Sequence, residues 1–175
     1  MTAMSRTVRI SAARATGASV SANFTAKIAP AAGAADVRAT ATDASGNVYV
    51  VGTVTEDFGA GIVQGDQDVY LRKYDGAGQL VWSRLLGSSE RASGFAVATD
   101  ANGNIAIAGK VTDRLTSASI GGGDDSFVTK YDSDGREIFT RQVAPMANDQ
   151  ANALAFGADG SLYVAGQTGG AVVSS

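Results

Sequence analysis

The sequence contains no cysteine and no histidine among its 175 residues. Without cysteine, disulfide bonds and thiolate metal sites are excluded. Without histidine, the chain lacks the commonest general base, and Ser-His-Asp and Cys-His catalytic arrangements are excluded as well. Any acid–base chemistry would have to come from carboxylates.

Proline is scarce, with 2 residues, whereas glycine is abundant, with 22. Abundant glycine with little proline indicates many tight turns, and it argues against a linker or a collagen-like chain. Hydrophobic residues make up 45% of the sequence and charged residues 18%. This composition is typical of a globular domain and excludes a disordered chain.

The sequence has no cluster of basic residues and no long apolar run. The formal net charge is −3, so we expect no nucleic-acid partner. No stretch approaches the roughly 20 apolar residues of a membrane-spanning helix, so we expect no membrane-spanning segment. The residues after Arg6 and Arg9 are too polar for a signal-peptide core. We therefore expect any export signal to lie outside this chain, and the sequence does not fix the compartment.

A repeat of 57 residues is the main feature that the sequence does contain. Gly46, Gly103 and Gly160 follow one another at this interval in the contexts ASGNVYV, ANGNIAI and ADGSLYV. Aligned without a gap, positions 36–92 and 93–149 agree at 17 of 57 residues, with identity concentrated at turn glycines, aspartates and the KYD triplet. A fixed period of this length indicates repeated supersecondary units.

Each complete unit contains four strand-like runs, rich in β-branched and aromatic residues and separated by turn residues. In the first complete unit these runs are 37–42, 47–54, 68–75 and 80–86. The second run is apolar almost throughout, which predicts that both faces of its strand are covered. No stretch has a sustained 3.6-residue apolar period, so no substantial helix is predicted.

The sequence therefore predicts an all-β fold of antiparallel four-stranded sheets that stack face to face, as in β-propeller blades. An open solenoid of sheets is the alternative. The heptapeptide FTAKIAP, which starts at Phe24, resembles FTRQVAP, which starts at Phe139, so the N-terminal residues are interpreted as third and fourth strands. The predicted units are an N-terminal hairpin at 1–34, blades at 35–91 and 92–148, and a half blade at 149–175.

This division amounts to about three blades, whereas closed propellers typically have 4–8. Unpaired strand edges and apolar blade faces invite association. The expected partner is therefore either the remainder of a longer propeller chain or a second copy of this one. Two copies would supply six blades, but the sequence favours a segment of a longer chain.

The two complete units share a specific motif. The pattern D-x-x-G-N occurs at 43–47 and 100–104, the triplet KYD occurs at 73–75 and 130–132, and an aromatic-centred strand follows each triplet. Over about residues 36–168 this motif resembles the bacterial SBBP repeat, the "seven-bladed β-propeller" repeat. The resemblance implies a bacterial surface, secreted or scaffold protein without an enzymatic role. The alanine-rich repeats are also similar to flagellin-regulatory repeat proteins of stalked alphaproteobacteria, which implies a role connected with the flagellum.

The second unit departs from the motif at one position. Ala106 stands where the other two units have Tyr49 and Tyr163. The departure argues against a functional tyrosine here. The aromatic residues Trp82 and Phe139 do recur at the repeat period, which predicts packing between blades; a platform for sugars or peptides is the alternative.

Acidic turns are the candidate metal sites. Asp132 and Asp134 are two residues apart, and such carboxylates can share a hard cation such as calcium. No glutamate follows at the spacing of a dedicated calcium loop. The alternative, which we favour, is that these aspartates bond their own backbone in Asx-turns with glycine at positive φ. Asp43 and Asp100 are interpreted as structural turn residues in the same way.

Two functions are consistent with the sequence. The first is a non-catalytic propeller segment that serves as a protein-binding or structural scaffold, with the long loops 55–67 and 112–124 as its variable surface. The second is a carbohydrate-binding or hydrolytic propeller that uses carboxylates, with calcium as a possible cofactor. No catalytic residue, no bound cofactor and no enzymatic activity are predicted.

Overall fold

The fold is described from a computed structural model of the chain. The structure describes residues 6–13, 21–28, 34–56, 61, 63–115, 123–143 and 148–169, with the backbone alone in the first two ranges. Within these ranges the chain forms β-strands and turns, and no helix. None of the described segments is a helix that could cross a membrane.

The described residues form twelve strands. These are β1 (Arg6–Ala13), β2 (Ser21–Ile28), β3 (Ala35–Thr42), β4 (Val48–Val54), β5 (Asp68–Tyr74), β6 (Leu80–Leu86), β7 (Arg91–Thr99), β8 (Ile105–Thr112), β9 (Asp124–Tyr131), β10 (Glu137–Val143), β11 (Asp149–Phe156) and β12 (Leu162–Thr168). The four strands predicted for the first complete unit correspond to β3–β6 and are confirmed to within two residues at every boundary.

Strands that follow one another in sequence pair with one another. Strands β3 to β6 form one four-stranded antiparallel sheet, and β7 to β10 form a second one of the same order. Strands β1 and β2 form a hairpin, and so do β11 and β12. The predicted all-β class, with two complete four-stranded sheets between two half units, is confirmed. The sheets are compatible with propeller blades.

The sheets stack through their first strands. Strand β7 packs against β3, β4 and β5 of the preceding sheet, and β11 packs in the same way against β7, β8 and β9. Strand β4 is buried along its whole length, and β8 is buried at six of its eight positions. The second strand is therefore covered on both faces, as its apolar sequence predicted.

Burial at equivalent positions shows what the stacking contributes. Val50 in β4 and Ile107 in β8 are fully buried, whereas Val164, the equivalent residue of β12, is 46% exposed. Tyr49 is fully buried and its equivalent Tyr163 is 63% exposed. The same sequence position is thus buried in the second strands that pair on both edges and exposed in β12, which pairs on one edge among the described strands.

Aspartate side chains close the turns between strands. The Asp43 carboxylate accepts hydrogen bonds from the backbone amides of Ser45 and Asn47 at 2.9 and 3.0 Å, and from the Tyr49 hydroxyl at 3.0 Å. Gly46 completes the turn with φ of 82°. Burial acts to raise the pKa of Asp43, but hydrogen bonds from Asn47, Tyr49 and Ser45 outweigh it and lower the pKa. The predicted structural role of this residue is confirmed.

The difference in burial predicts that a valine-to-alanine substitution lowers the free energy of unfolding by different amounts at the two positions. Val50→Ala removes two buried methyl groups, so we expect a loss of about 2 kcal/mol in the free energy of unfolding. Val164→Ala removes the same groups from an exposed position, so we expect a change within about 0.5 kcal/mol. Urea denaturation of both variants measures the difference. Equal losses would contradict the burial pattern.

The Asp43 turn predicts a pH dependence. Asp43→Ala removes a carboxylate that holds several donors, so we expect a loss of about 1–2 kcal/mol at neutral pH. Because the folded-state pKa is lowered, the ionised form contributes its full stability above about pH 4 and loses it as the pH falls through the folded pKa.

The measurement is urea denaturation of the natural chain and the variant between neutral and acidic pH. The difference between them should shrink below about pH 4. Asp66→Ala, at an exposed position whose only described ion pair is with Arg91, is the control and should have little effect at any pH. A difference that stayed constant down to acidic pH would contradict the stabilising role of the ionised carboxylate.

Candidate functional site

The predicted metal residues lie in the turn between β9 and β10. Asp132 Oδ1 accepts hydrogen bonds from the backbone amides of Asp134 and Arg136 at 2.9 and 2.8 Å. The Gly135 amide donates to the Asp132 carbonyl at 2.9 Å, and Gly135 has φ of 76°. This is the Asx-turn with a positive-φ glycine that the sequence indicated as the alternative to a metal site.

The carboxylates of this turn also have a basic neighbour. Arg136 Nη1 lies 3.0 Å from Asp134 Oδ2 and 3.7 Å from Asp132 Oδ2. A cation shared by the two aspartates would have to displace this guanidinium group. In the part of the chain that the structure describes, no group of three or more acidic, histidine or cysteine side chains could hold a metal ion. Calcium at Asp132 and Asp134 stays a prediction.

The same turn is bound by the preceding sheet. Three side chains on the outer strands β5 and β6, which we call the turn-binding residues, donate to its carbonyl groups: Lys73, Trp82 and Arg84. The Lys73 ammonium and the Trp82 indole donate to the Ser133 carbonyl at 3.0 and 3.3 Å. Arg84 Nε donates to the Gly135 carbonyl at 2.6 Å. These bonds attach the second sheet to the first at its outer edge.

The Trp82 ring and the Arg84 guanidinium group lie close to Gly135 in the turn. The Arg84 guanidinium lies over the Trp82 ring, 5.3 Å from its centroid. A Cβ atom on Gly135 would come within 3.0 Å of that ring and 3.1 Å of Arg84 Nη2. Gly135 is thus required both by its backbone conformation and by the approach of the preceding sheet. The predicted packing of Trp82 between units is confirmed.

The second sheet has the equivalent residues without the equivalent contact. The side chains 57 residues after the turn-binding residues are Lys130, Phe139 and Arg141. The Arg141 guanidinium lies 5.6 Å from the Phe139 ring centroid, as in the first sheet. Among the described residues, no turn of another unit binds Phe139 and Arg141. Ile138 beside them is 52% exposed.

Lys130 makes a different contact, which compensates for the hydroxyl group that Ala106 lacks. In the first unit, Tyr49 donates to the turn aspartate Asp43, but Ala106 has no hydroxyl to offer Asp100. Lys130 Nζ instead lies 3.4 Å from Asp100 Oδ2. Burial acts to raise the pKa of Asp100, but hydrogen bonds from its neighbours and from Lys130 lower it. The sequence showed the departure at Ala106, but it did not show that Lys130 compensates for the missing hydroxyl group.

Two further acidic residues, which lie 57 residues apart and are therefore equivalent, are buried. Asp68 and Asp125 lie at the starts of β5 and β9 and are 1% and 0% exposed. The loops that precede them, 55–67 and 112–124, are the predicted variable surface. Residues 57–60, 62 and 116–122 of these loops lie outside the described residues.

The turn-binding contact predicts an asymmetry between two equivalent arginines. Arg84→Ala removes charge-assisted bonds to two turn carbonyls, so we expect a loss of about 2 kcal/mol in the free energy of unfolding and faster amide exchange at 132–136. Arg141→Ala, the matched control, should change stability by less than about 0.5 kcal/mol. The measurement is amide hydrogen exchange by NMR. Equal exchange rates at 132–136 in the two variants would contradict the contact.

Comparison with known proteins gives one partial relationship. No family model matches the chain. It is 39% identical over 146 residues to a protein named Regulatory protein FlaEY of Caulobacter vibrioides, in an alignment that covers 75% of this chain. The chain spans 15% of the length of that relative. The match supports the predicted similarity to flagellin-regulatory repeat proteins, while the SBBP type of the repeat stays a prediction.

Proposed function

We propose that this chain is a non-catalytic β-propeller segment that acts as a structural and protein-binding scaffold in a regulatory protein connected with the flagellum. The observation that carries the proposal is the construction of the interfaces, in which each sheet is built to receive the next one. The similarity to Regulatory protein FlaEY supports the regulatory part of the proposal. A location at the bacterial cell surface or in the medium fits the resemblance to SBBP repeats.

The C-terminal hairpin presents one receiving surface. In both complete sheets the second strand is paired on both of its edges, whereas among the described strands β12 pairs only with β11. Tyr163 and Val164 on β12 are exposed although their equivalents in the complete units are buried. Both the edge and the apolar side chains of β12 therefore match a further strand and a further sheet.

The outer edge of the second sheet presents another receiving surface. Phe139 and Arg141 repeat the arrangement of Trp82 and Arg84, which bind a turn of the following unit. Arg141 is exposed, and apart from the bond from its Nη1 to the Thr140 carbonyl its guanidinium group faces solvent, where it could bind a further turn with the same carbonyl groups. The two surfaces belong to the same interface, because the unit that completes β11 and β12 would also bring the next turn between its third and fourth strands.

The proposed partner is the remainder of a longer propeller chain, with a second copy of this chain as the alternative. The hairpin β1–β2 is interpreted as a third and fourth strand, and β11–β12 is equivalent to a first and second strand. Two copies joined through these hairpins would therefore form six complete sheets, a number within the range of closed propellers. The greater length of the relative supports the first partner.

The proposal predicts that the chain associates through β12. Multi-angle light scattering of the purified chain over a range of concentrations should show association. Val164→Lys should reduce it at least tenfold, because a charge would enter an apolar interface. Val81→Lys, at the exposed start of β6, is the matched control and should leave association unchanged.

The outcomes separate the two partners. A homogeneous dimer would identify a second copy as the partner, and a mixture of sizes would support a segment that lacks the rest of its chain. A chain that stays monomeric at every concentration, with no change in Val164→Lys, would contradict the scaffold proposal.

A further inference from the structure

The interface between the second sheet and the C-terminal hairpin buries two carboxylates. Asp125, the second residue of β9, is fully buried, and Asp149, the first residue of β11, is only 4% exposed. Strand β11 packs against β9, so the two side chains come from the two sides of one interface. They are far apart in sequence, and neither belongs to the turns described above.

Most of the oxygen atoms of this pair have no partner. Asp125 Oδ2 accepts a hydrogen bond from the Gln142 side-chain amide at 2.9 Å. Among the described residues, Asp125 Oδ1 and both carboxylate oxygens of Asp149 accept none. A buried ionised carboxylate without a partner costs several kcal/mol, so such groups are normally paired or bound to a metal ion.

The surroundings do not neutralise the pair. Burial raises the pKa of Asp125, and the charges of Asp149 and Asp124 raise it further, against the effect of the Gln142 hydrogen bond. The nearby Lys110 forms an ion pair with Asp124. In the part of the chain that the structure describes, no basic side chain forms an ion pair with Asp125 or Asp149.

The first interface between sheets has no such pair. Asp68 is the equivalent of Asp125: its Oδ2 accepts a hydrogen bond from the Gln64 amide at 2.9 Å, and its Oδ1, like that of Asp125, has no hydrogen-bond partner among the described residues. The position equivalent to Asp149 is Ala92, which is fully buried. The second carboxylate is therefore a departure from the repeat, at a position where the first interface packs an alanine.

We propose that Asp125 and Asp149 bind a divalent cation of the calcium type between the second sheet and the C-terminal hairpin. Calcium takes six to eight oxygen ligands, including carboxylates, amide and carbonyl oxygens and water, and tolerates irregular geometry. An open cavity of about 320 Å³ reaches Asp149 from solvent, and its lining includes Asn148, Gln150 and Gln167 together with the Lys110–Asp124 ion pair. It gives the ion and its water ligands a path of entry.

The cation would connect β9 to β11 and neutralise two like charges at once. It would therefore stabilise the docking of the C-terminal hairpin on the second sheet, and the effect would grow with calcium concentration by mass action. This site is distinct from Asp132 and Asp134, whose carboxylates are engaged by their own turn and by Arg136. The inference does not depend on the proposed scaffold function.

The test is isothermal titration calorimetry of the full chain with calcium chloride, with thermal unfolding in calcium and in EDTA as the second measurement. The natural chain should bind one calcium ion, and its melting temperature should be higher in calcium than in EDTA. Asp149→Ala should abolish both effects and should still fold, because alanine occupies the equivalent position of the first interface. Asp125→Asn should weaken binding at least tenfold.

Two controls assign the site. Asp68→Asn alters the equivalent buried carboxylate of the first interface, and Asp134→Asn alters the predicted turn site; both should bind calcium like the natural chain. Binding that was lost in Asp134→Asn and kept in Asp149→Ala would overturn the proposal and assign the ion to the turn. A natural chain that bound no calcium, and whose melting temperature was the same in calcium and EDTA, would also overturn it, since the pair would then be held by a shared proton.

Discussion

The structure depends on one constraint, that the second strand of each complete unit is apolar on both faces and is covered from both sides. Strand β4 meets the constraint completely and β8 nearly so. A single four-stranded sheet cannot meet it, because a sheet covers none of its own faces. Stacking is therefore a condition of folding in this chain, and the features that hold neighbouring units together follow from it.

The hydrogen bonds between the two sheets are made to the backbone of the bound turn, 132–136, and hardly to its side chains. Lys73 and Arg84 donate to the carbonyl groups of Ser133 and Gly135. Carbonyl groups are present whatever the sequence of the turn, so the first two positions after the aspartate can vary between units. Gly135 is favoured at the fourth position by its positive φ and by the close approach of the Trp82 ring. This is consistent with the aspartate and glycine that the two units share at this turn.

The sequence predicted the repeating strands and turns, but of the contacts between units it predicted only the packing of Trp82. The strand positions and the Asx-turn at Asp43 follow from local chemistry that is visible in one unit, and the 57-residue period multiplies that signal. Contacts between units join residues that are not equivalent, as Arg84 and Gly135 are, and a comparison of the sequence with itself shows equivalence and not contact. The pairing of Asp125 with Asp149 was missed for the same reason, although the change from alanine to aspartate was its visible signal.

Departures from the repeat differ in whether another residue of the chain compensates for the changed side chain. Ala106 removes a hydroxyl group from a turn aspartate, and Lys130 replaces the lost bond, so this departure is complete within the chain. Asp149 adds a carboxylate to a buried interface, and no described side chain replaces the water that it loses. A stable interface needs every buried charge to be compensated. The first departure is therefore explained by a contact within the chain, whereas the second has no compensating partner among the described residues, and the proposed cation would supply one.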